Sequence, residues 1–453
     1  MFNNYENIVE LILDVLSKDD NRVFIIDEEK EITRKELLIL SFKIYSHIPK
    51  GKILINLKSK SLTVAAYNAC LFKGSLPFIR DAYIEKSPLD KYQYDFVIDE
   101  NNVHDFINSE SYEEYEYHKG DIDPKSPCLA LISSGTSKDN KVIVLPHRAV
   151  LLNCFDALTI LGIVKGWRYI NIAPLTHAIG IISDYICILL IEGSIVYTYS
   201  VFEYLSSLKR YEPDATHTTS NMCDAIYMLF EQNGKENTDK NLKAIIVGGS
   251  KPNKDIAYKF EKYWVSVCSC YGLSECCPVV SISPIKGARN PSDGYILPIH
   301  NVEIAEDGEI VVKGESIMLN YLEEYLKGEV VKEVRTKDVG YIKDGCLYVI
   351  GRKDNLIIMA NGEKIQPETF EEEINKNPHV KESIIYQKDG ALYLDVVMND
   401  QYDLAKDLTK YDIHINYVNE LKKNTLGKLD RKWYKQWTRD KNYRFVLDLL
   451  MQF

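Results

Sequence analysis

The residues with the clearest chemical potential lie in one short loop of small hydroxyl side chains. Residues 131–147 read LISSGTSKDNKVIVLPH, in which an apolar strand over Cys128–Ile132 leads into Ser133–Ser137 and then into Lys138 and Lys141. Small hydroxyl residues beside a glycine let backbone N–H groups and side chains converge on an anion, and a nearby lysine adds charge for a phosphate. The Walker pattern is absent. Alone, such a loop indicates an anion site but is also typical of a solvated turn.

Seven further segments follow this loop along the chain. They are Pro174-Leu175-Thr176-His177 with Gly180, Gly248-Gly249-Ser250, Tyr271-Gly272-Leu273-Ser274-Glu275, Thr336-Lys337-Asp338-Val339-Gly340, Gly351-Arg352-Lys353-Asp354, Gly362-Glu363-Lys364-Ile365-Gln366-Pro367 and Gly427-Lys428-Leu429-Asp430-Arg431. In this order they resemble the motifs of the ANL superfamily of adenylate-forming enzymes, which comprises acyl-CoA synthetases, adenylation domains of nonribosomal peptide synthetases and luciferases. Each motif is short, but chance hardly explains the full series over about 300 residues.

The resemblance implies an AMP-forming ligase, in which a carboxylate attacks the α-phosphorus of ATP and pyrophosphate leaves. Two anions must be brought together, so the site needs positive charge and Mg2+. The loop would hold the β- and γ-phosphates, and the residues that the resemblance assigns to it are Ser133, Ser134, Gly135, Thr136 and Lys141.

Three residues are assigned by the resemblance to the reacting centre itself. Glu275 would hold Mg2+, and the hydroxyl of Ser274 would contact the α-phosphate. Lys428, near the C-terminus, would bridge the substrate carboxylate and the α-phosphate while the new bond forms. Lys428 also lies in a run of basic residues, which by itself would be a solvated face.

The nucleoside of ATP would be bound by a second group of residues. Tyr271 would stack on adenine, with Gly249 and Gly272 beside it, and Asp338 would accept hydrogen bonds from both ribose hydroxyls, assisted by Arg352. Taken singly, Asp338 and Glu275 would more often be turn or surface carboxylates, and Tyr271 would more often be a core residue in a chain with 31 tyrosines. The series of motifs favours the functional interpretation.

The sequence departs from the family pattern at the phosphate loop and before the ribose aspartate. Lys138, Asn140 and Val142 stand where the family usually has Gly, Pro and Gly, so either Lys138 or Lys141 could be the phosphate lysine. Lys337 replaces the glycine before Asp338. Neither departure removes a group that the chemistry requires.

The acid would be bound in a mostly apolar pocket. The residues expected to line it are His177, Ala178, Ile179, Val247 and Cys270. Amino-acid-activating relatives carry an aspartate at the position of Ala178, where it pairs with the substrate ammonium. An ammonium without such a partner is costly in an apolar pocket, so an aryl or short-to-medium acyl acid is favoured over an α-amino acid.

The acceptor of the acyl group would be a thiol, either that of coenzyme A or that of a phosphopantetheinylated carrier protein. The 453 residues include no carrier or condensation domain, so a carrier would be a separate partner. A natural-product pathway and the metabolic formation of acyl-CoA are both compatible settings.

Three other functions compete with this one. A stand-alone amino-acid adenylation enzyme would need a different ammonium partner. A degenerate relative would bind a nucleotide or acyl group without turnover, but the charged catalytic positions are all retained. A phosphotransferase would release ADP, and the kinase and Walker signatures are absent.

Strands that alternate with helices must position these motifs. Lys52–Leu57 is expected to be a strand, Ser61–Lys73 a helix and Asn241–Val247 another strand, which indicates α/β architecture. The predicted fold is α/β, with a large N-terminal domain of layered, mostly parallel sheets and helices over residues 1–352. A small, mobile α+β lid domain over residues 353–453 would carry Lys428, and the resemblance makes Asp354 the hinge.

Composition limits the classes of partner. The formal net charge of −11 disfavours nucleic acid and anionic membranes. Asp184 and Glu192 interrupt the most apolar stretch, which disfavours a membrane span. The N-terminal residues do not resemble a secretory signal, so the expected location is cytoplasmic. The ten cysteines fit no common zinc pattern and are expected to be reduced, half-buried thiols.

Overall fold

The structure is a computed structural model of the 453-residue chain. It describes residues 5–18, 21–133, 141–249, 254–287, 292–358, 364–388, 390–408, 413–423, 429–431 and 433–434.

The strands are short and occur throughout the described chain. They are β1 Val23–Asp27, β2 Lys30–Thr33, β3 Lys52–Asn56, β4 Leu76–Ile79, β5 Phe96–Asp99, β6 Pro127–Ile132, β7 Val142–Pro146, β8 Arg168–Asn171, β9 Ser194–Tyr197, β10 Ala215–Thr218, β11 Ala244–Gly248, β12 Ser266–Gly272, β13 Val279–Ile282, β14 Tyr295–Ile296, β15 His300–Ile304, β16 Glu309–Gly314, β17 Asn320–Tyr321, β18 Glu333–Lys343, β19 Cys346–Arg352, β20 Ile357–Ile358, β21 Lys364–Ile365, β22 Val380–Lys388, β23 Ala391–Met398 and β24 Ile413–Tyr417.

Helices fill most of the connections between β2 and β12 and occur less often after β12. They are α1 Ile8–Leu16, α2 Arg34–Tyr45, α3 Lys60–Phe72, α4 Glu100–Asn108, α5 His147–Leu161, α6 Cys187–Leu190, α7 Val201–Tyr211, α8 Ser220–Asn233, α9 Lys235–Thr238, α10 Lys254–Phe260, α11 Leu322–Tyr325 and α12 Pro367–Ile374. A π-helical segment, Ile179–Ile186, runs directly into α6.

The chain packs as two compact units. Unit 1 comprises Met1–Glu303, Val311–Thr336 and Ile342–Tyr348, and unit 2 comprises Ile304–Ile310, Lys337–Tyr341 and Val349–Phe453. Residues 304–310 and 337–341 therefore group with the C-terminal part of the chain, although they precede the boundary expected after residue 352. That boundary, as the functional division of the protein, stays a prediction.

Unit 1 contains two sheets that are parallel for most of their width. In the larger sheet, the strands run in the order β14-β13-β12-β11-β10-β8-β9-β1-β2, and the pairs from β12 to β1 are parallel. The smaller sheet has the order β17-β7-β6-β4-β3-β5, with β6, β4, β3 and β5 parallel. The predicted α/β class with layered sheets is confirmed.

Both faces of the parallel strands are buried, which explains their unbroken apolar sequences. In β11, Ala244 and Ile246 pack into a core with α1, α3 and α5, whereas Ile245 and Val247 pack into a second core with α7 and α8. In β3, likewise, Leu54 faces away from its two neighbours. The period of two along each strand thus produces the layers.

The predicted elements agree with the structure to within a few residues. The strand expected over Lys52–Leu57 is β3, and the helix expected over Ser61–Lys73 is α3. Helix α3 begins one residue earlier because the hydroxyl of Ser59 accepts a hydrogen bond from the Leu62 N–H and caps the helix. The strand expected over Asn241–Val247 is shorter and ends at Gly248.

Unit 2 contains a small α+β fold, as expected. Strands β22 and β23 are antiparallel, β24 is parallel to β23, and α12 packs against them over an apolar core. Pro367 occupies the first turn of α12, where a missing N–H costs nothing.

A buried ion pair ties α12 to the C-terminal segment within unit 2. The guanidinium of Arg431 contacts both carboxylate oxygens of Glu371, with Nη1 to Oε1 at 3.0 Å. The N–H of Ile385 donates to Oε1 of Glu371 at 2.8 Å. Glu368 lies 3.6 Å from Nε of Arg431 and is a weaker second partner.

The described cysteines and helices bear on two further expectations. All ten cysteines are unpaired, and nine of them are buried. Within the described residues, no group of three or more histidine, cysteine or carboxylate side chains is arranged to hold a metal ion. No described helix combines the length and hydropathy that a membrane crossing requires.

Replacement of Glu371 with alanine is expected to destabilise unit 2 by roughly 3 kcal/mol, because it leaves the buried Arg431 without its main partner. This value is at the low end for a broken buried ion pair, since Glu368 stays near Arg431. The midpoint of denaturant unfolding measures the loss. Glu373→Ala is the matched control, since Glu373 is an exposed partner of Lys376 on the same helix and should change stability little. Equal losses in both variants would contradict the role of the buried pair.

Candidate active site

Two predicted motifs end neighbouring parallel strands of the larger sheet. Gly248-Gly249 terminates β11, and Tyr271-Gly272 terminates β12, with Gly248 paired to Cys270. The carboxyl ends of parallel strands meet at one edge, where α/β proteins bind their ligands. The sheet therefore places these nucleotide-binding candidates side by side.

Gly272 is required by close packing. A Cβ atom at this position would lie 1.9 Å from the carbonyl oxygen of Pro278, so no other residue fits without movement of the backbone. The chain then makes a single 3-10 turn over Ser274–Cys276. This turn buries most of Glu275. The backbone carbonyl of Glu275 accepts a hydrogen bond from the Met318 N–H at 2.8 Å.

The two ends of the phosphate-loop candidate are joined at its base. Strands β6 and β7 are antiparallel with Ile132 opposite Val142, and the N–H of Ser133 donates to the carbonyl of Lys141 at 2.8 Å. Ser133 is buried, whereas Lys141 is exposed. Lys141 therefore stands at the start of β7 with its charge available to a ligand.

Tyr321 joins Lys141 to Glu275, and sequence reasoning missed it. Nζ of Lys141 lies 4.3 Å from the centroid of the Tyr321 ring, and the Tyr321 hydroxyl donates to Oε1 of Glu275 at 3.5 Å. Burial, and then Glu275, raises the pKa of Tyr321 to about 12, so the phenol keeps its proton. Tyr321 is one of 31 tyrosines, and only its pairing with Ile143 in β7 reveals its role.

These three residues suit an ATP–magnesium complex. The Glu275 carboxylate is a hard oxygen donor of the kind that Mg2+ takes, usually through one or two carboxylates together with phosphates. Lys141 supplies the positive charge that phosphates require. The donor set around Tyr321 therefore fits the cofactors that the sequence predicts.

The ribose-binding candidates meet in unit 2. Nη1 of Arg352 lies 3.1 Å from Oδ1 of Asp338, which is buried, and Nη2 lies 3.7 Å from Oδ2 of Asp354. Lys337, in the place of the family's glycine, has φ of +61° and therefore adopts the left-handed backbone that glycine favours. The substitution keeps the local backbone and adds a charge 3.9 Å from Asp354.

The π-helical segment approaches the sheet beside the expected acid pocket. A Cβ atom at Gly180 would lie 2.4 Å from the carbonyl oxygen of Pro174, so glycine permits this approach. A Cβ atom at Gly248 would contact Cδ1 of Ile179 at 3.8 Å and the carbonyl of Cys270 at 4.0 Å. Ile179 and Cys270 thus come together around Gly248, with the partly exposed His177 at the start of the segment.

Val247 does not join these pocket candidates. It is fully buried on the opposite face of β11, in the core formed with α7 and α8. The alternation of side chains along a strand puts Gly248, and not Val247, towards Ile179. Ala178 is buried in the first core and offers no carboxylate to a ligand. Burial also raises the pKa of the Cys270 thiol to about 12, so Cys270 is a neutral lining residue.

Four site candidates lie outside the described residues. They are Ser134, Gly135, Thr136 and Lys428. Lys138, the alternative phosphate lysine, lies there too. Their assignments stay predictions.

The family of the chain follows from comparison with known proteins. Residues 78–322 match the AMP-binding enzyme family, a span of more than half of the chain. The chain belongs to this family, and the resemblance to the ANL adenylate-forming superfamily is confirmed.

Curated relatives resemble this chain in sequence, and solved structures resemble it in fold. The 2-succinylbenzoate–CoA ligase of Listeria innocua is 25% identical over 72% of this chain and 75% of its own. The Bacillus subtilis ligase of the same name is 22% identical over 91% and 95%. The structure of O-succinylbenzoate coenzyme A synthetase from Bacillus subtilis with AMP has a TM-score of 0.77 at 20% identity, covering 94% of this chain and 98% of its own. Anthranilate CoA ligase AuaEII has a TM-score of 0.81 at 15% identity over 95% and 97%.

The class of enzyme is thereby defined. The chain is an acid–thiol ligase that forms an acyl-adenylate, with ATP and Mg2+ as its cofactors. The predicted enzyme class and the predicted cofactors are confirmed.

Replacement of Tyr321 with alanine is expected to weaken ATP binding about two- to tenfold, since a cation–π contact contributes about 0.5–1 kcal/mol, and more when desolvated. The Kd of ATP–Mg2+ measures the effect by calorimetry. Tyr321→Phe is the matched control, because it keeps the ring beneath Lys141 and removes only the long 3.5 Å hydrogen bond to Glu275. If both variants bind ATP as tightly as the wild type, Tyr321 does not organise this site.

Proposed function

We propose that this protein is an AMP-forming coenzyme A ligase for an aryl or a short-to-medium acyl acid. One observation carries the proposal most directly. Tyr321 holds the lysine of the phosphate loop and the candidate metal-binding glutamate together, although Lys141 and Glu275 are far apart in sequence. An adenylation site needs both charges in one place.

In the first half-reaction the protein would bind ATP through its triphosphate. Ser133 and Lys141, with the loop residues between them, would hold the β- and γ-phosphates. Glu275 would supply a carboxylate oxygen to Mg2+, which neutralises phosphate charge when bound. The turn after Gly272 would present the Ser274 hydroxyl to the α-phosphate, since Ser274 directly precedes Glu275 in that turn.

The resemblance assigns adenine to Tyr271, and it assigns the ribose to the ion pair that Asp338 and Arg352 form within unit 2. Asp338 is held by Arg352 at 3.1 Å, which fixes its carboxylate for the two ribose hydroxyls. Lys428 would offset the negative charge that develops as the carboxylate oxygen of the acid bonds to the α-phosphorus and pyrophosphate departs.

The acid would lie against the π-helical segment. Ile179, Gly248 and Cys270 present an apolar surface there, which favours an aryl or alkyl body. Ala178 offers no partner to an α-ammonium, and this supports a non-amino acid. A stand-alone amino-acid adenylation enzyme remains the second candidate only if another carboxylate reaches that position.

The second half-reaction would transfer the acyl group to coenzyme A. The thiolate attacks the acyl carbon, a thioester forms and AMP leaves with the former carboxylate oxygen. Coenzyme A is the proposed acceptor because the similar ligases described above act with it by name. A phosphopantetheinylated carrier protein is the alternative acceptor, since it ends in the same chemical arm.

Pyrophosphate release across a panel of aryl, fatty and amino acids tests the first half-reaction. Lys428→Ala is expected to lower the acid-dependent rate about 100-fold or more, as when a transition-state charge partner is removed. Lys422→Ala is the matched control from the same basic run and should keep nearly full activity. Equal effects of the two substitutions would mean that Lys428 belongs to a solvated face, and acid-dependent release of ADP would replace the proposal with a phosphotransferase.

Asp354→Pro tests the proposed hinge. Proline restricts the backbone where a domain motion would need φ and ψ to change, so thioester formation should fall much more than adenylation. Single-turnover assays measure the two steps separately. Asp354→Ala, which keeps backbone freedom, should retain both. An equal loss of the two steps in Asp354→Pro would count against the hinge.

A further inference from the structure

A hydrogen-bonded network of buried polar side chains lies beneath the proposed acid pocket. The carboxylate of Asp184, in the π-helical segment, is fully buried and accepts hydrogen bonds from Nδ1 of His217 at 2.5 Å and from the Asn171 amide. Oδ1 of Asn171 accepts from Nζ of Lys60 at 2.7 Å. The network thus extends from a lysine at the start of α3 to a histidine in β10.

Lys60 connects this network to the segment that precedes the pocket residues. Its Nζ also donates to the carbonyls of Ala173 at 3.1 Å and Thr198 at 2.9 Å. Burial lowers the pKa of Lys60 to about 8, while Asp184 and Asp27 oppose that shift. Ala173 immediately precedes Pro174, so the cation fixes the backbone from which the π-helical segment starts.

His217 lies on the same face of the sheet as the pocket candidates around Gly248. It pairs with Ile246 in β11, and Gly248 follows two residues later on the same face of the sheet. Gly248 is the position that contacts Ile179. His217 therefore lies on the strand next to β11, at the level of Ile246 and two residues below the level of Gly248. This position is beneath the apolar surface formed by Ile179 and Cys270.

One nitrogen of His217 is left for a ligand. In the neutral tautomer whose Nδ1–H donates to the Asp184 carboxylate, the lone pair of the imidazole lies on Nε2. Among the described residues Nε2 has no hydrogen-bond partner. It also keeps accessible surface, unlike the sealed Nδ1 of His300, and the His217 side chain is 10% exposed. The result is an oriented acceptor beneath the apolar surface formed by Ile179 and Cys270.

We propose that His217 determines acid specificity, with Nε2 accepting a hydrogen bond from a hydroxyl group remote from the reacting carboxylate. This inference rests on the proposed function and narrows its substrate class to aryl acids that carry such a donor. A purely apolar acid would leave Nε2 desolvated without a partner, which disfavours its binding. A site built to bind a hydroxyl in this way rejects the analogue that lacks it more strongly than a hydrophobic slot does.

The test compares hydroxybenzoates with the toluates in which a methyl group replaces each hydroxyl. For the wild type, kcat/KM for pyrophosphate release should favour the best hydroxybenzoate over its methyl counterpart about tenfold or more. His217→Asn keeps an N–H donor for Asp184 but removes the Nε2 acceptor, and it should bring the ratio close to one because activity with the hydroxybenzoate falls more than activity with the toluate.

Thr216→Val is the matched control for disturbance of β10. Its hydroxyl hydrogen-bonds with Tyr204 and with the Ile170 carbonyl, on the face of the strand opposite His217, so this substitution should lower stability and leave the ratio unchanged. Equal losses with both acids in His217→Asn would assign His217 a structural role only and overturn the inference. A wild-type enzyme that adenylates acids without preferring any hydroxyl would overturn it too, whereas no adenylation of any acid would defeat the proposed function itself.

Discussion

The parallel pairing of buried strands is the constraint on which the site depends. Strands β8, β10, β11 and β12 run in the same direction with helices on both faces, so their carboxyl ends meet at one edge. That edge receives Asn171, His217, Gly248 and Tyr271 from four separate stretches of sequence. The backbone approaches so closely there that Gly272 leaves no room for a Cβ atom. The chemistry is thus assembled by sheet topology, and its residues are distant along the chain.

Much of this arrangement could be predicted from the sequence. Apolar runs located β3 and α3 to within a residue, because burial on both faces gives a strong compositional signal. The ordered motifs identified the family and the ends of β11 and β12. They also identified Asp338 and Arg352, which the structure brings to 3.1 Å. Short motifs carry this information because they encode turns and charges that act locally.

The remaining features depend on contacts that no local pattern encodes. Tyr321 contacts Lys141 and Glu275 only because β17 pairs with β7. Val247 was expected in the pocket, but one residue of register along β11 decides which face a side chain occupies, and Gly248 holds the pocket-facing position. The sequence did not predict the hydrogen-bonded pair of Asp184 and His217 either, since a single histidine in a strand is typical of a core residue. Register and long-range pairing are tertiary properties.

The fate of the acid's carboxylate oxygen is the most direct test of the claim that this protein forms an acyl-adenylate. If the carboxylate attacks the α-phosphorus and the thiol then attacks the acyl carbon, an acid labelled with 18O on its carboxylate must leave one labelled oxygen in AMP. Mass spectrometry of the nucleotide product, after turnover with coenzyme A and the best acid, measures this transfer. One 18O in AMP is the predicted result. Unlabelled AMP, or labelled phosphate accompanied by ADP, would contradict an acyl-adenylate mechanism for this protein.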